Sequence, residues 1–179
     1  SMEAVKEIVQ SALAVRERIQ LGIRWPLKEL VVAVKDEKIK KAVEKLRDVI
    51  KRQINVKAVK LVDLMPNVKL KIKTDYSKIG PAFGDKLPKI IAQLTIDSPE
   101  SVLKQIEEKG KYSFKLNGET VDVLKEHLIV EREVPLPYEE NIFKNGFVYL
   151  NKEITDELEA EGFAREIMRR VQALRKKAG

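Results

Sequence analysis

The sequence LVVAVKDEKIKKAVEKLRDVIKRQ at residues 30–53 predicts a buried strand followed by an amphipathic helix. Its first five residues are apolar and mainly β-branched, which is typical of a strand in the centre of a sheet. Asp36 can accept hydrogen bonds from the first amides of the helix and so mark its beginning. After Asp36, apolar and cationic side chains fall on opposite faces. The apolar face comprises Ile39, Val43, Leu46 and Ile50, and the cationic face comprises Lys38, Lys41, Lys45 and Arg52.

The segments on both sides of this stretch add a helix and two strands to it. Residues 3–21 predict a helix with one buried face, because their apolar side chains recur at three- and four-residue steps. Residues 56–62 and 68–73 predict two further strands. Helices that cover a small sheet place this part of the chain in the α+β class.

The last third of the sequence predicts hairpins and a long helix. Asn117-Gly118 and Asn145-Gly146 are the residue pairs that favour tight turns between antiparallel strands. Residues 128–134 predict a strand between these hairpins, and Thr155 can cap a helix that runs to about Lys177. The expected fold is α+β, with a small mixed sheet covered by helices, β-hairpins and a long C-terminal helix.

The composition excludes several classes of site. The 179 residues include no cysteine and one histidine, His127, so disulfides, thiolate nucleophiles and Cys-ligated metals are excluded. We expect no metal, no cofactor and no catalytic residue, and we interpret His127 as structural. The sequence has no apolar run of membrane-spanning length and no signal-peptide pattern, which favours a cytoplasmic protein without membrane contact.

The chain carries 35 Lys and Arg against 28 Asp and Glu, a formal net charge of +7. Such an excess attracts polyanions, of which nucleic acid is the commonest, provided that the cations are concentrated on one surface. The alternative is the surface chemistry of a thermophile, in which many charges form ion-pair networks. Composition alone does not separate the two interpretations.

Two groups of cations are candidates for such a surface. Lys69, Lys71 and Lys73 alternate with apolar residues, so they share one face of a predicted strand. Arg165, Arg169 and Lys176 follow steps of four and seven along the last helix and form a ridge. We expect an apolar stripe of this helix to be buried, namely Leu158, Ile167, Met168, Val171 and Leu174.

The same helix has a second interpretation. Glu161 and Arg165, and likewise Glu166 and Arg170, are four residues apart and can form ion pairs that only decorate a solvated helix. Gly162 costs roughly 1 kcal/mol relative to alanine inside a helix, so we expect it to permit close packing.

The stretch EGFAREIMRRVQALRKKAG at residues 161–179 closely resembles the C-terminal segment of isoleucyl-tRNA synthetases of the archaeal and eukaryotic type. RWPLK at residues 24–28 resembles the junction that follows the anticodon-binding domain of this family. IGPAFG at residues 79–84 is similar to a Leu-Gly-Pro-Lys-Phe-Gly turn of the family and departs from it at Ile79 and Ala82. The resemblance covers nearly the whole chain, and its final block is the most specific part.

The resemblance implies a module that helps to bind isoleucine tRNA near its anticodon end. The HIGH and KMSKS motifs of the adenylation site are not found, so the resemblance implies a segment of an ATP-dependent ligase that lacks the adenylation and editing sites. The candidate tRNA-binding residues are Arg24, Trp25, Lys69, Lys71, Lys73, Arg165, Arg169 and Lys176. The alternative is a structural brace or protein-interaction module with little RNA contact.

The resemblance also suggests how the chain is divided. Residues 1–24 would be the last helix of the anticodon-binding domain and the junction, and residues 25–179 the C-terminal module. Two sub-units, about 25–110 and 111–179, are a further option within that module. The expected partners are the tRNA and the rest of the synthetase chain. An exposed N-terminal helix could also form a dimer, or its apolar face could pack against the core.

Overall fold

A computed structural model of the chain describes residues 2–179. The helices are α1 (Met2–Arg18), α2 (Glu37–Lys45), α3 (Arg47–Ile54), α4 (Tyr76–Phe83), α5 (Leu87–Ile96), α6 (Pro99–Lys109) and α7 (Asp156–Ala178). The strands are β1 (Leu27–Val34), β2 (Val56–Val62), β3 (Lys69–Thr74), β4 (Lys111–Leu116), β5 (Glu119–Leu124), β6 (Leu128–Glu133), β7 (Tyr138–Phe143) and β8 (Gly146–Asn151).

The chain divides into two compact units. Unit 1 combines the segment up to Asn67 with Val134–Gly179, and unit 2 is Val68–Glu133. These bounds differ from the sub-units 25–110 and 111–179 considered above, because β8 pairs with β1 and so brings the last part of the chain back to the first. The division at residue 24 between an anticodon-domain helix and the module stays a prediction.

Unit 1 is built on a mixed four-stranded sheet with the order β2-β1-β8-β7. β1 is parallel to β2 and antiparallel to β8, and β7 and β8 form the predicted hairpin. The buried side chains of α1, α2 and α3 form one core with alternate residues of the sheet, such as Leu30, Val32 and Val148. The small mixed sheet covered by helices is therefore confirmed.

Of the two alternatives for α1, the structure shows packing against the core and does not support a dimer. Ile8, Ala12 and Val15 on its apolar face are fully buried in the core of unit 1. The sequence could not reveal this because the main partner of α1, strand β7, lies more than 100 residues later.

Unit 2 contains the antiparallel pair β3 and β6, the hairpin of β4 and β5, and helices α4, α5 and α6. Its core includes the fully buried Ile79, Ile90 and Val102. The prediction of a turn at residues 79–84 is wrong, because these residues belong mainly to α4 with Pro81 inside it. The buried Ile79 and the Asp75 cap, whose carboxylate accepts a hydrogen bond from the Ser77 amide, outweigh the weak helix propensity.

The expected burial of the apolar stripe on α7 is also wrong for four of its five residues. Leu158 and Gly162 are the buried residues of α7, whereas residues 167–179 are all exposed. Ile167, for example, is 61% exposed and Leu174 is 65% exposed. Among residues 2–179, no element covers this part of the helix, so its amphipathic pattern has no partner in the described structure.

A buried carboxylate on β1 contacts side chains from two other strands of unit 1. Glu29 on β1 is 5% exposed, accepts a hydrogen bond from the Tyr138 hydroxyl and lies 2.7 Å from the Lys60 Nζ atom. Burial alone would raise the pKa of Glu29, but the hydrogen bonds from Lys60 and Tyr138 hold it below its usual value. Its ionised form therefore stabilises the fold, and this contribution is lost as the pH falls through the lowered pKa.

We expect Glu29→Gln to lower the free energy of unfolding by about 1–2 kcal/mol at pH 7, since a charged hydrogen-bond acceptor is lost. The difference should be full above the usual pKa of 4.5 and should shrink as the pH falls through the lowered pKa of the folded protein. Urea unfolding of both proteins across this pH range checks it, with the exposed Glu44→Gln as the control. A difference that does not change with pH would contradict the assignment.

Candidate nucleic-acid interface

The buried Arg16 of α1 positions the loop that precedes β1. Its Nη1 atom donates to the carbonyl oxygens of Gly22 and Trp25, each at 2.9 Å, while Nε donates to Ile54 at 2.7 Å and Nη2 to Asn55 at 2.9 Å. Arg16 is 3% exposed, and burial lowers its pKa to about 10, so it is cationic at neutral pH. One guanidinium thereby ties the end of α3 to the loop that carries Arg24 and Trp25.

The Trp25 ring packs directly against the backbone of α7. A Cβ atom on Gly162 would lie 2.3 Å from Cε3 of Trp25, so this approach requires glycine. The Trp25 ring also meets Phe163 edge to face, with 5.3 Å between ring centroids. The close packing expected at Gly162 is thus observed, and it fixes the N-terminal half of α7 on unit 1.

The Glu161 carboxylate on α7 forms ion pairs with two cations, one on β2 and one on α7 itself. The Nζ atom of Lys57 on β2 lies 2.7 Å from its carboxylate, and Nη2 of Arg165 lies 3.0 Å from it. The hydrogen bond from Lys57 lowers the pKa of Glu161. This contact joins the second strand of the sheet to the last helix.

Glu166, which lies further along α7, forms ion pairs with three cations. Its carboxylate lies 2.9 Å from Arg169 Nη2, 3.3 Å from Arg170 Nε and 3.3 Å from Arg24 Nη1. The hydrogen bond from Arg169 lowers the pKa of Glu166 to about 2, so this carboxylate is ionised at any physiological pH.

These two groups form what we call the α7 ion network, which consists of Arg24, Lys57, Arg165, Arg169 and Arg170 with Glu161 and Glu166. Five cations share two carboxylates, which leaves an excess of three positive charges. The cationic side chains are 43–74% exposed, whereas the two carboxylates are 28% and 32% exposed. The cations therefore lie on the solvent side of the network.

The three lysines of β3 share one exposed face, as predicted, but their environment differs. Lys71 lies 3.5 Å from Glu133, and Lys73 lies 3.2 Å from Glu131 on the neighbouring strand β6. Each of these ammonium groups has its own carboxylate, and Lys69 has none within ion-pair distance among residues 2–179. The excess on this face is a single charge.

Lys176 lies near the end of α7, where cations have no acidic neighbours. Residues 167–178 contain five Lys and Arg and no Asp or Glu. Within the described chain, no carboxylate lies within ion-pair distance of Arg175, Lys176 or Lys177. All three are exposed.

Of the eight candidate residues, the structure brings Arg24, Trp25, Arg165 and Arg169 together around the N-terminal half of α7. Lys176 lies two turns further along the same helix, and the β3 lysines belong to unit 2. The sequence analysis missed Lys57, which no local pattern marks, and Arg16. Arg16 did have a signal, because it follows Ile8 and Ala12 at four-residue steps on the apolar face of α1.

His127, the one histidine of the chain, lies in a largely buried environment. His127 is 8% exposed, and its Nδ1 accepts the Leu124 backbone N–H at 3.0 Å while its ring packs on Phe83. Residues 2–179 hold no group of three or more His, Asp and Glu side chains that could bind a metal ion. A membrane-crossing helix is likewise not found in this part of the chain.

Comparison with known proteins places the chain among the aminoacyl-tRNA synthetases. It is 36% identical over 177 residues to the isoleucine–tRNA ligase of Pyrococcus abyssi and 38% identical over 176 residues to that of Archaeoglobus fulgidus. The isoleucine–tRNA ligase of Bacteroides fragilis is 33% identical over 180 residues. These matches cover 98–99% of the chain, which belongs to the isoleucine–tRNA ligase family.

The chain spans only 16% of the length of these curated relatives. This share is consistent with the C-terminal region that the sequence resemblance indicated. The match to a Bacteroides enzyme shows that similarity is not confined to archaeal proteins. No protein-family model matches the chain.

Proposed function

We propose that this chain is a non-catalytic, tRNA-binding module of an isoleucine–tRNA ligase and that it holds tRNA phosphates through the α7 ion network. The observation that carries the proposal is the charge ratio of this network, in which five exposed cations share two carboxylates. A network neutralised one to one would have little to offer a polyanion.

The physical basis is the weakness of exposed ion pairs. Such pairs contribute roughly 0–1 kcal/mol, so a cation can leave Glu161 or Glu166 for a phosphate at small cost. Four of the five cations are arginines, whose guanidinium groups can donate two parallel hydrogen bonds to one phosphate. Binding of several phosphates also releases counterions, which favours association and makes the affinity fall as the salt concentration rises.

Other candidate residues extend this surface. Lys176 continues the ridge of Arg165 and Arg169 along α7, and Trp25 fixes the helix that carries the ridge. The β3 lysines form a second proposed surface in unit 2, with a smaller contribution because Lys71 and Lys73 are paired one to one.

Amino-acid activation and editing would then take place in other parts of the synthetase chain. The expected partners of the module are isoleucine tRNA and the rest of that chain, in the cytoplasm. Contact with the anticodon end of the tRNA is proposed from the sequence resemblance to the family.

The test compares variants that lose the same charge at different places. We expect Lys57→Gln with Arg165→Gln and Arg169→Gln to weaken binding of an isoleucine tRNA transcript by at least about tenfold, because three phosphate contacts are lost. The matched control replaces the exposed Lys38, Lys41 and Lys45 of α2 by Gln and should change affinity less than about threefold. Fluorescence anisotropy with labelled tRNA measures both.

A third variant, with Gln at Lys69, Lys71 and Lys73, measures the contribution of unit 2. An equal loss of affinity in all three variants would show that net charge alone attracts the RNA. Absence of binding by the unmodified chain, even at low salt, would reject the proposal in favour of a structural brace.

A further inference from the structure

The side of α7 that lies opposite the cationic ridge has the pattern of a coiled-coil seam. Each ridge residue follows an apolar residue by two positions, about 200° around a helix of 3.6 residues per turn. Phe163 precedes Arg165, and Ile167 precedes Arg169 in this way. The exposed apolar residues Ile167, Val171 and Leu174 and the proposed tRNA-binding ridge therefore occupy different sides of one helix.

A set of exposed apolar residues on α7, which we call the seam, follows a heptad repeat. Apolar residues recur at alternating steps of four and three, which are the a and d positions of a coiled coil. They are Ala160, Ala164, Ile167, Val171, Leu174 and Ala178. All six are exposed, and Ile167, Val171 and Leu174 are 61%, 43% and 65% exposed. The seam extends over about 28 Å at a rise of 1.5 Å per residue.

The positions that flank the seam carry a single sign of charge towards its C-terminal end. Arg170 and Lys177 lie at g positions and Arg175 lies at an e position of the heptad. Residues at e and g form interhelical ion pairs and so select the partner helix. Cations at all three positions select a partner with carboxylates at its own e and g positions.

The same charges disfavour a second copy of this chain. In a parallel pair, Arg170 of one helix would meet Arg175 of the other, and in an antiparallel pair Arg170 and Lys177 would meet each other. Like charges at such close range weaken a complex. Glu166 pairs with Arg170 in the same helix, but among residues 2–179 no carboxylate lies within ion-pair distance of Arg175 or Lys177.

From this seam and its flanking charges, we propose that α7 docks one helix of a separate protein, and that this helix has an apolar heptad seam bordered by Asp and Glu. The apolar contact provides the affinity, and the basic flanks of α7 provide the selectivity. This proposal does not rest on tRNA binding, because the seam lies on the side of the helix opposite the ridge. Arg170 is the one residue that belongs both to the α7 ion network and to the flanks of the seam.

The test uses two designed peptides of three heptads with Ile at a and Leu at d. One peptide has Glu at every e and g position, and the matched peptide has Lys at these positions, so that neither associates with itself. We expect the chain to bind the Glu peptide at least about tenfold more tightly than the Lys peptide. Isothermal titration calorimetry measures both affinities.

Variants separate the seam from its flanks. Ile167→Glu with Leu174→Glu should abolish binding of the Glu peptide, whereas Ile96→Glu with Ile142→Glu, at residues 77% and 66% exposed elsewhere, should leave it unchanged. Arg175→Glu with Lys177→Glu should reverse the preference towards the Lys peptide. The Ile167→Glu, Leu174→Glu variant should still bind tRNA, so a failure of one proposal does not imply a failure of the other.

Several results would overturn the proposal. Equal affinities for the two peptides, or no binding of either, would remove the charge-selected partner. A dimer in sedimentation equilibrium that is lost in the Ile167→Glu, Leu174→Glu variant would assign the seam to a second copy. Binding of the Glu peptide to this chain but not to the longer synthetase chain would show that the seam is covered within that chain.

Discussion

Replacement of the buried Arg16 by alanine is expected to lower the free energy of unfolding by about 3–5 kcal/mol. The guanidinium donates to buried or half-buried carbonyl oxygens of Ile54, Asn55, Gly22 and Trp25. Alanine would remove one donor from each of these carbonyl oxygens, although those of Asn55 and Gly22 would keep the backbone N–H groups of Leu27 and Trp25. It would also leave a void where the side chain now lies.

Chemical denaturation by urea checks this prediction. The stability of Arg16→Lys should lie between those of the unmodified protein and Arg16→Ala. Its ammonium group retains the charge but cannot reach the carbonyl groups at the end of α3 and in the loop before β1 at the same time. Arg18→Ala is the matched control, since the Arg18 side chain is 51% exposed and its loss should cost under about 1 kcal/mol. An Arg16→Ala variant as stable as Arg18→Ala would contradict the structural role assigned to Arg16.

Gly162→Ala is expected to destabilise the protein by about 1–3 kcal/mol, although alanine normally stabilises a helix. The new Cβ atom would lie 2.3 Å from Trp25 Cε3 and 2.6 Å from Cζ3, so the ring or the helix must move. Because Glu161 and Glu166 flank this contact, the shift should also disperse the α7 ion network and weaken tRNA binding.

Gly80→Ala in α4 provides the control for Gly162→Ala. Outside its chain neighbours, nothing lies within 4 Å of a Cβ atom at Gly80, but Pro81 disfavours the helical conformation of a preceding residue that has a Cβ atom. This change should therefore alter stability by less than about 1 kcal/mol. Trp25→Phe should partly rescue Gly162→Ala, because the smaller ring makes room and the two substitutions are not additive. Equal effects of alanine at the two glycines in thermal unfolding would contradict the close packing of Trp25 on α7.

The local elements of the fold could be predicted because their signals lie within a few residues. Asp36 and Thr155 are the predicted caps of two helices, and each side chain accepts a hydrogen bond from an amide of the first turn. The Asn117-Gly118 hairpin likewise follows from its own two residues, both of which have positive φ.

The site was predicted less completely, because its contacts join distant parts of the sequence. Lys57 and Glu161 are 104 residues apart, and Arg24 and Glu166 are 142 residues apart. For α7, the local sequence predicted the helix but not the environment of its apolar face. Its periodicity correctly indicated a helix, but periodicity does not reveal whether the apolar face of a helix meets a partner in the same chain.

The salt dependence of tRNA binding tests the central claim most directly, because counterion release counts the phosphates that a surface engages. For the chain with its α7 ion network intact, the logarithm of the association constant should fall steeply and linearly with the logarithm of the salt concentration. The Lys57→Gln, Arg165→Gln, Arg169→Gln variant should reduce this slope by roughly 2–3, and the α2 lysine control should leave it almost unchanged. An identical slope for all three proteins would contradict the assignment of the α7 ion network as the tRNA-binding surface.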